Sequence, residues 1–268
     1  MEKTDPFKIE REAHLVWLTL NRPEKRNAMG VAFFKGLGGY FDAFDRDPAV
    51  RVVIIKAAGK SFTAGTDLEE LGALLGKDGA DERDMMYKDI RELQQCINRV
   101  ERCRKPVIAA VHSHCIGGGL DLISACDIRL ATQDAVFSIR ETRMGIIADL
   151  GTLQRLPSII GQGWFRELAL TGRDFTAPEA LQMGLITRIV EDRQALYATA
   201  AELAAHIAAC PPLAVQGTKD VLLHTRDHGV AAGLQYVAQK NAAALPSEDL
   251  LEAVAAFMEK RPPVFKGK

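Results

Sequence analysis

Over the first half of the chain, short apolar runs alternate with longer stretches of helical periodicity. Residues 14–20 have the alternation of a strand, and residues 52–55 and 106–111 form continuous apolar runs typical of strands buried on both faces. Apolar side chains recur at helical spacing over residues 31–45 and 84–104, which predicts two helices. The order of strand, glycine-containing turn and helix occurs twice, and it predicts an α/β fold with functional loops at the strand ends.

The second half of the chain has a different pattern. From residue 178 onward it is rich in alanine and almost entirely helical in periodicity, with helices predicted near residues 195–210, 211–224, 229–244 and 248–260. We therefore expect two regions. Residues 1–190 form a core that holds the active site, and residues 191–268 form a helical region that covers the site or builds an oligomer interface.

The charge balance and the cysteines indicate which kinds of partner and which compartment to expect. The chain has 34 basic and 35 acidic residues, so it offers no broad electrostatic attraction for nucleic acid or an anionic membrane. Its five cysteines are odd in number and scattered, which indicates reduced thiols. No leader-like or membrane-spanning apolar run is present, and the last three residues are not a peroxisomal signal. These features predict a cytoplasmic protein.

The candidate chemistry begins at three consecutive glycines, Gly117 to Gly119. Backbone N–H groups without a neighbouring Cβ can be approached closely by a ligand oxygen, and a helix predicted to follow would add the positive end of its dipole. Asp121, Glu141 and Asp149 come next, in largely apolar surroundings where carboxylates are costly unless they are used or paired. This arrangement predicts an oxyanion site with acids and bases beside it.

Each of these features also has a purely structural interpretation. Asp121 fits a first-turn helical aspartate stabilised by the helix dipole, and Glu141 fits a surface residue paired with a neighbouring arginine. Asp149 is harder to explain in this way, because it has no adjacent basic residue. Thr66 and Glu69 fit a capping box, which would occupy the Thr66 N–H group.

Several segments together resemble the crotonase (enoyl-CoA hydratase/isomerase) superfamily over nearly the whole chain. They are residues 20–29 (LNRPEKRNAM), residues 62–68 (FTAGTDL), the glycine run with Asp121, and residues 257–263 (FMEKRPP). Aspartate at positions 121 and 149 departs from the hydratase pattern and is most similar to the Δ3,5-Δ2,4-dienoyl-CoA isomerases. The resemblance implies a crotonase (ClpP-like) fold of repeated ββα units with a helical C-terminal region, assembled as a homotrimer or homohexamer.

The resemblance also implies roles for individual residues. The backbone N–H groups of Thr66 and Gly118 would form the oxyanion hole for an acyl-CoA thioester. Glu141 would take a proton from C2 and Asp149 would deliver one at C6. Asp121 would hold or polarise the pair, and it could share in the proton transfer. No metal or redox cofactor is expected, since coenzyme A belongs to the substrate. The coenzyme contacts would come from Arg26, Ala64, Thr66, Asp67, Leu68, Phe257 and Lys260.

Three functions follow from this resemblance. The first is isomerisation of 3,5-dienoyl-CoA to 2,4-dienoyl-CoA. The alternative is hydration of 2-enoyl-CoA, in which Asp121 and Glu141 would position and activate water. It differs from isomerisation in the role of Asp149. A further alternative is a non-catalytic acyl-CoA-binding or scaffold protein, or a nucleic-acid-binding member, in which the acids are relics. The near-neutral charge argues against nucleic acid as a partner.

Overall fold

The computed structural model describes residues 5–72 and 79–268. Residues 74–81, whose glycines and aspartates predict a mobile segment, lie largely outside this described part. Within it the strands are β1 Phe7–Glu12, β2 Leu15–Leu20, β3 Val52–Ala57, β4 Val107–Val111, β5 His114–Ile116, β6 Ile128–Thr132, β7 Val136–Ser138, β8 Asp174–Thr176 and β9 Arg188–Val190.

The helices follow the predicted alternation and then dominate the second half. They are α1 Val31–Arg46, α2 Leu68–Gly72, α3 Ala80–Arg102, α4 Gly118–Ser124, α5 Thr152–Ile160, α6 Gln162–Thr171, α7 Ala177–Gln182, α8 Arg193–Ala208, α9 Pro212–His228, α10 Val230–Ala244 and α11 Glu248–Glu259. Short 3₁₀ helices lie at Pro23–Lys25 and Glu141–Met144. The α/β prediction is confirmed.

The central sheet has the strand order β1-β2-β3-β4-β6-β9. β1 is antiparallel to β2, and the remaining neighbours are parallel. A smaller sheet, β5-β7-β8, stands beside it. β9 corrects the expectation of nearly unbroken helix after residue 178, because Arg188–Val190 adds an edge strand to the central sheet.

Two apolar layers bury the two faces of the central sheet. On one face of the sheet, alternate side chains of β2 and β3, such as Leu18 and Ile55, pack with α1 and α3 in the larger core. On the opposite face, the intervening side chains, such as Trp17 and Ile54, pack with the buried face of α8. This two-sided burial explains the continuous apolar runs of these strands. The predicted boundary at residue 190 therefore falls just before a helix that packs on the sheet.

Among the described residues, no single helix has the length and hydropathy needed to cross a membrane. α8 and α9 are bent by 105° relative to each other. Only when these two helices are counted together do their length and composition suffice for a membrane span.

Candidate active site

The loop after β3 is held between two neighbouring segments. On one side, Met29 donates its N–H to the Gly65 carbonyl (2.8 Å) and accepts from the Asp67 N–H (3.0 Å). On the other side, Thr63 pairs with the strand that leads into the glycine run. Because successive backbone groups of an extended chain point in opposite directions, the Thr66 N–H group faces away from Met29.

The glycine run approaches this loop at van der Waals distance. A Cβ placed on Gly118 would lie 3.7 Å from Thr66 Oγ1, and a Cβ placed on Gly65 would lie only 2.8 Å from the Ile116 carbonyl oxygen. Gly65 has φ +91°, so its backbone conformation and this close approach both exclude a side chain. Gly118 begins α4, where N–H groups have no acceptor within the helix. The two residues predicted to carry the oxyanion donors, Thr66 and Gly118, therefore lie close together.

The capping box expected at Thr66 does not form. Asp67 Oδ1 accepts from the Glu69 N–H (3.2 Å), and the Glu69 carboxylate pairs with Lys25 Nζ (2.5 Å). Glu69 is drawn to Lys25 because the loop at residues 22–29 folds against α2, a contact that local spacing does not reveal. The Thr66 N–H group is thus not used by Glu69.

Asp121 is the most deeply buried of the three candidate acids, with 2% of its surface exposed. Its Oδ1 accepts two hydrogen bonds of 2.7 Å from Thr152, one from the backbone N–H and one from the hydroxyl. Burial raises the pKa of Asp121 to about 6 even though these bonds oppose the effect, and the charge of Asp149 adds to the rise.

Glu141 lies against the glycine run. A Cβ on Gly117 would be 3.2 Å from Glu141 Oε1, and within the described residues Oε2 is buried without a hydrogen-bond partner. Burial raises the pKa of Glu141 to about 7, and the charges of Asp121 and Asp149 act in the same direction. The surface ion pair considered from the sequence is wrong, because Arg140 pairs with Asp174 instead.

Asp149 is half-buried, and burial raises the pKa of its carboxyl. Its backbone carbonyl accepts a hydrogen bond of 2.6 Å from Gln94 Nε2 of α3. The three predicted acids thus interact electrostatically with one another, and Glu141 lies beside the glycine run that carries one predicted oxyanion donor. Carboxyls arranged in this way exchange protons near neutral pH, since poor hydration and like charge keep at least one of them protonated.

A charged network supports the segment that carries Asp149. Buried Arg155 donates to Glu101 (2.9 Å) and to Asn98 (2.6 Å), and Arg226 of α9 also pairs with Glu101 (2.5 Å). Polar side chains of this network line a cavity of about 320 Å³ that includes Asp149. The sequence did not single out Thr152, Gln94 or this network, because their partners lie 31 to 125 residues away along the chain.

The predicted coenzyme contacts fall into two groups. Arg26, Ala64, Thr66 and Leu68 are exposed on adjacent loops, and the Arg26 carbonyl accepts from the Ala64 N–H (2.9 Å). Asp67 differs from them. Its carboxylate is buried and paired with Arg22 (3.2 Å), so this side chain stabilises the loop and is not free to contact a ligand.

Phe257 and Lys260 lie at the end of α11, where the Phe257 side chain is 82% exposed. The tail after this helix is bound through the Phe265 carbonyl to Arg51, which precedes β3, whereas the oxyanion loop follows β3. Among the described residues, neither side chain has a hydrogen bond or an ion pair with the other predicted coenzyme contacts.

Comparison with known proteins identifies the family. The family model described as enoyl-CoA hydratase/isomerase matches residues 10–268. This chain belongs to that family. The fold agrees, since the enoyl-CoA hydratase of Bacillus anthracis superposes with a TM-score of 0.91 at 32% identity, covering 98% of this chain and 100% of that one. The predicted crotonase fold with a helical C-terminal region is confirmed.

Two relatives within this family are similar to the chain over most of its length. Mouse mitochondrial Δ(3,5)-Δ(2,4)-dienoyl-CoA isomerase is 45% identical over 255 residues, which cover 93% of this chain and 78% of the mouse protein. The peroxisomal Δ(3,5)-Δ(2,4)-dienoyl-CoA isomerase of Arabidopsis thaliana is 46% identical over 253 residues, which cover 92% of this chain and 91% of the Arabidopsis protein. The expected cytoplasmic location is wrong by this comparison, because these relatives are mitochondrial or peroxisomal. Cysteine content and a search for short signals do not distinguish these compartments.

Proposed function

We propose that this chain converts 3,5-dienoyl-CoA to 2,4-dienoyl-CoA. The observation that carries the proposal is the third carboxylate: Asp149 has a raised pKa and acts electrostatically on both Asp121 and Glu141. The names of the mouse and Arabidopsis relatives support the same reaction. Hydration needs only two acids to handle one water, whereas moving two double bonds needs proton transfer at both ends of the diene.

The thioester oxygen binds between the N–H groups of Thr66 and Gly118. Removal of the C2 proton places negative charge on this oxygen, and two fixed donors stabilise the charge without reorganisation. Loss of one such donor typically costs on the order of 10²-fold in rate. The raised pKa of Glu141 makes its carboxylate a stronger base than an ordinary glutamate.

Glu141 removes a proton from C2, and the resulting trienolate has its charge spread over the thioester oxygen, C2, C4 and C6. As Asp149 delivers a proton to C6, the C3=C4 and C5=C6 double bonds become single bonds and double bonds form between C2 and C3 and between C4 and C5. Glu141 is then protonated and Asp149 ionised, and exchange of one proton with solvent at each carboxyl restores the starting state. No electrons leave the substrate, so the reaction needs no redox cofactor, and in this proposal no metal takes part. Asp121 stays ionised, and its charge keeps Glu141 basic.

The coenzyme portion lies along the exposed loop residues Arg26, Ala64, Thr66 and Leu68, and the Asp67 side chain holds that loop through Arg22. Phe257 and Lys260 contact the coenzyme of a neighbouring subunit in a homotrimer or homohexamer. Support comes from the apolar outer face of α11, where Leu251, Val254, Phe257 and Met258 are 57 to 82% exposed. Sedimentation of the full chain tests the assembly, and a monomer at micromolar concentration would contradict it.

The activity test compares two substrates of equal chain length. Wild-type protein is offered a 3,5-dienoyl-CoA and a 2-enoyl-CoA, and isomerisation is followed by the absorbance of the conjugated product. We expect isomerisation by the wild type and little hydration. Asp149→Asn keeps the shape of the side chain but cannot exchange a proton, so we expect a loss of at least about 10²-fold in kcat, as for removal of a general acid.

Asp149→Gly and Glu202→Gln complete the design. The first removes the carboxylate and the rest of the side chain, and the second alters an exposed glutamate of α8 as a matched control. Efficient hydration with no isomerisation by the wild type would replace the proposal with the hydratase alternative. Thioester binding without turnover of either substrate would favour a non-catalytic acyl-CoA-binding protein.

A further inference from the structure

The start of α5 is capped by a side chain from another helix. Gly151, the residue before the helix, has φ +126° and no side chain to offer. Asp121 of α4 takes over this task, because its Oδ1 accepts both the N–H and the hydroxyl of Thr152 at 2.7 Å. A carboxylate at this position also interacts favourably with the helix dipole.

The two carboxylate oxygens of Asp121 differ in hydrogen bonding, because both bonds from Thr152 go to Oδ1. Oδ1 already has two donors from one residue, so the carboxylate is held in a fixed orientation in a buried site. Thr152 is also only three residues after Asp149. The same two hydrogen bonds therefore join α4, which carries Asp121, to the segment that carries Asp149.

We propose that Thr152 is a positioning residue which acts through Asp121, holding this carboxylate ionised and oriented beside Glu141 and Asp149. The kinetic part of this inference rests on the proposed function. Nothing in it requires Thr152 to touch the substrate.

The charges around Asp121 explain why such support is needed. Burial and the like charge of Asp149 favour the protonated form of Asp121, whereas the two Thr152 donors and Arg155 favour the ionised form. A protonated Asp121 would no longer raise the pKa of Glu141, so Glu141 would become a weaker base. Loss of the Thr152 hydroxyl is thus expected to lower activity on the acid side of the pH profile.

The test uses a pair of substitutions with nearly the same shape. Thr152→Val keeps the volume and the backbone N–H but removes the hydroxyl donor, and Thr152→Ser keeps both donors. Ser124→Ala is the matched control, because the Ser124 hydroxyl is buried and donates to the backbone carbonyl of the same aspartate at 2.9 Å. Thr152→Ala serves as a second variant lacking the hydroxyl if the valine variant does not fold.

Two readouts are measured for each variant. We expect the Asp121 titration to move upward by about one pH unit in Thr152→Val, the usual effect of losing one hydrogen bond to a charged group, and kcat/KM with 3,5-dienoyl-CoA to fall on the acid limb of its pH profile. We expect Thr152→Ser and Ser124→Ala to follow the wild-type limb. Carbon-13 NMR of aspartate-labelled protein follows the Asp121 carboxyl itself, assigned by its absence in Asp121→Asn.

The two readouts separate this inference from the proposed function. If the wild type does not turn over 3,5-dienoyl-CoA, the proposed function fails, and the NMR titration still tests Thr152. An upward shift of the Asp121 titration in Thr152→Val or Thr152→Ala, absent in Thr152→Ser, supports the inference. An unchanged Asp121 titration in both variants lacking the hydroxyl would overturn it.

Discussion

Replacing Glu141 by glutamine should make the folded protein more stable at alkaline pH, because the wild-type carboxylate is poorly hydrated and surrounded by like charge. The pKa of Glu141 is raised from the ordinary value of 4.5 to about 7. A group with a raised pKa in the folded state contributes stability that is fully present below about pH 4.5 and is lost as the pH rises through about 7. Glutamine keeps the shape of the side chain and cannot ionise.

The size of the effect follows from the two pKa values. The gap between 4.5 and about 7 corresponds to about 3 kcal/mol, at about 1.4 kcal/mol for each pH unit. Linkage then predicts that Glu141→Gln exceeds the wild type in free energy of unfolding by about 3 kcal/mol at pH 8 and by only about 1 kcal/mol at pH 5. Loss of one negative charge also lowers the pKa of Asp121 and Asp149, which acts in the same direction.

Urea unfolding at a fixed protein concentration, repeated between pH 5 and pH 8, measures this difference. Glu202→Gln on the exposed face of α8 serves as the control, and we expect its unfolding free energy to stay parallel to that of the wild type. A Glu141→Gln curve that runs parallel to the wild type across this range would refute the reasoning. It would show that the Glu141 carboxylate is well hydrated in the folded protein.

Further predictions concern the backbone and the supporting network. Gly65→Ala should lower kcat by at least about 10²-fold, because φ +91° and the nearby carbonyl force the oxyanion loop to shift; Gly163→Ala, where a Cβ meets nothing within 4 Å, should leave kcat unchanged. Equal activity of the two variants would contradict the assigned loop. Glu101→Gln should cost about 3–5 kcal/mol in urea unfolding, because buried Arg155 loses its anionic partner; a cost below 1 kcal/mol would show that the network is not a stabilising one.

Much of the fold could be predicted because its main strands are buried on both faces. The continuous apolar runs of β3 and β4 and the helical periodicity of α1 and α3 are direct consequences of that burial. The elements missed were those with weak patterns. β1 is an edge strand with mostly polar residues, and β5, β8 and β9 have three residues each, too few to show a period.

The sequence by itself determined which chemical groups the site contains: the glycines that permit close backbone approach, and three carboxylates too costly to bury without a use. The tertiary structure decided how each group is used. Asp67 is paired with Arg22, Glu69 with Lys25, and Asp121 with Thr152. These partners are 31 to 45 residues apart along the chain, so only the packing of separate elements brings them together. That packing is also what places Glu141 out of water and raises its pKa, a property that residue type alone does not specify.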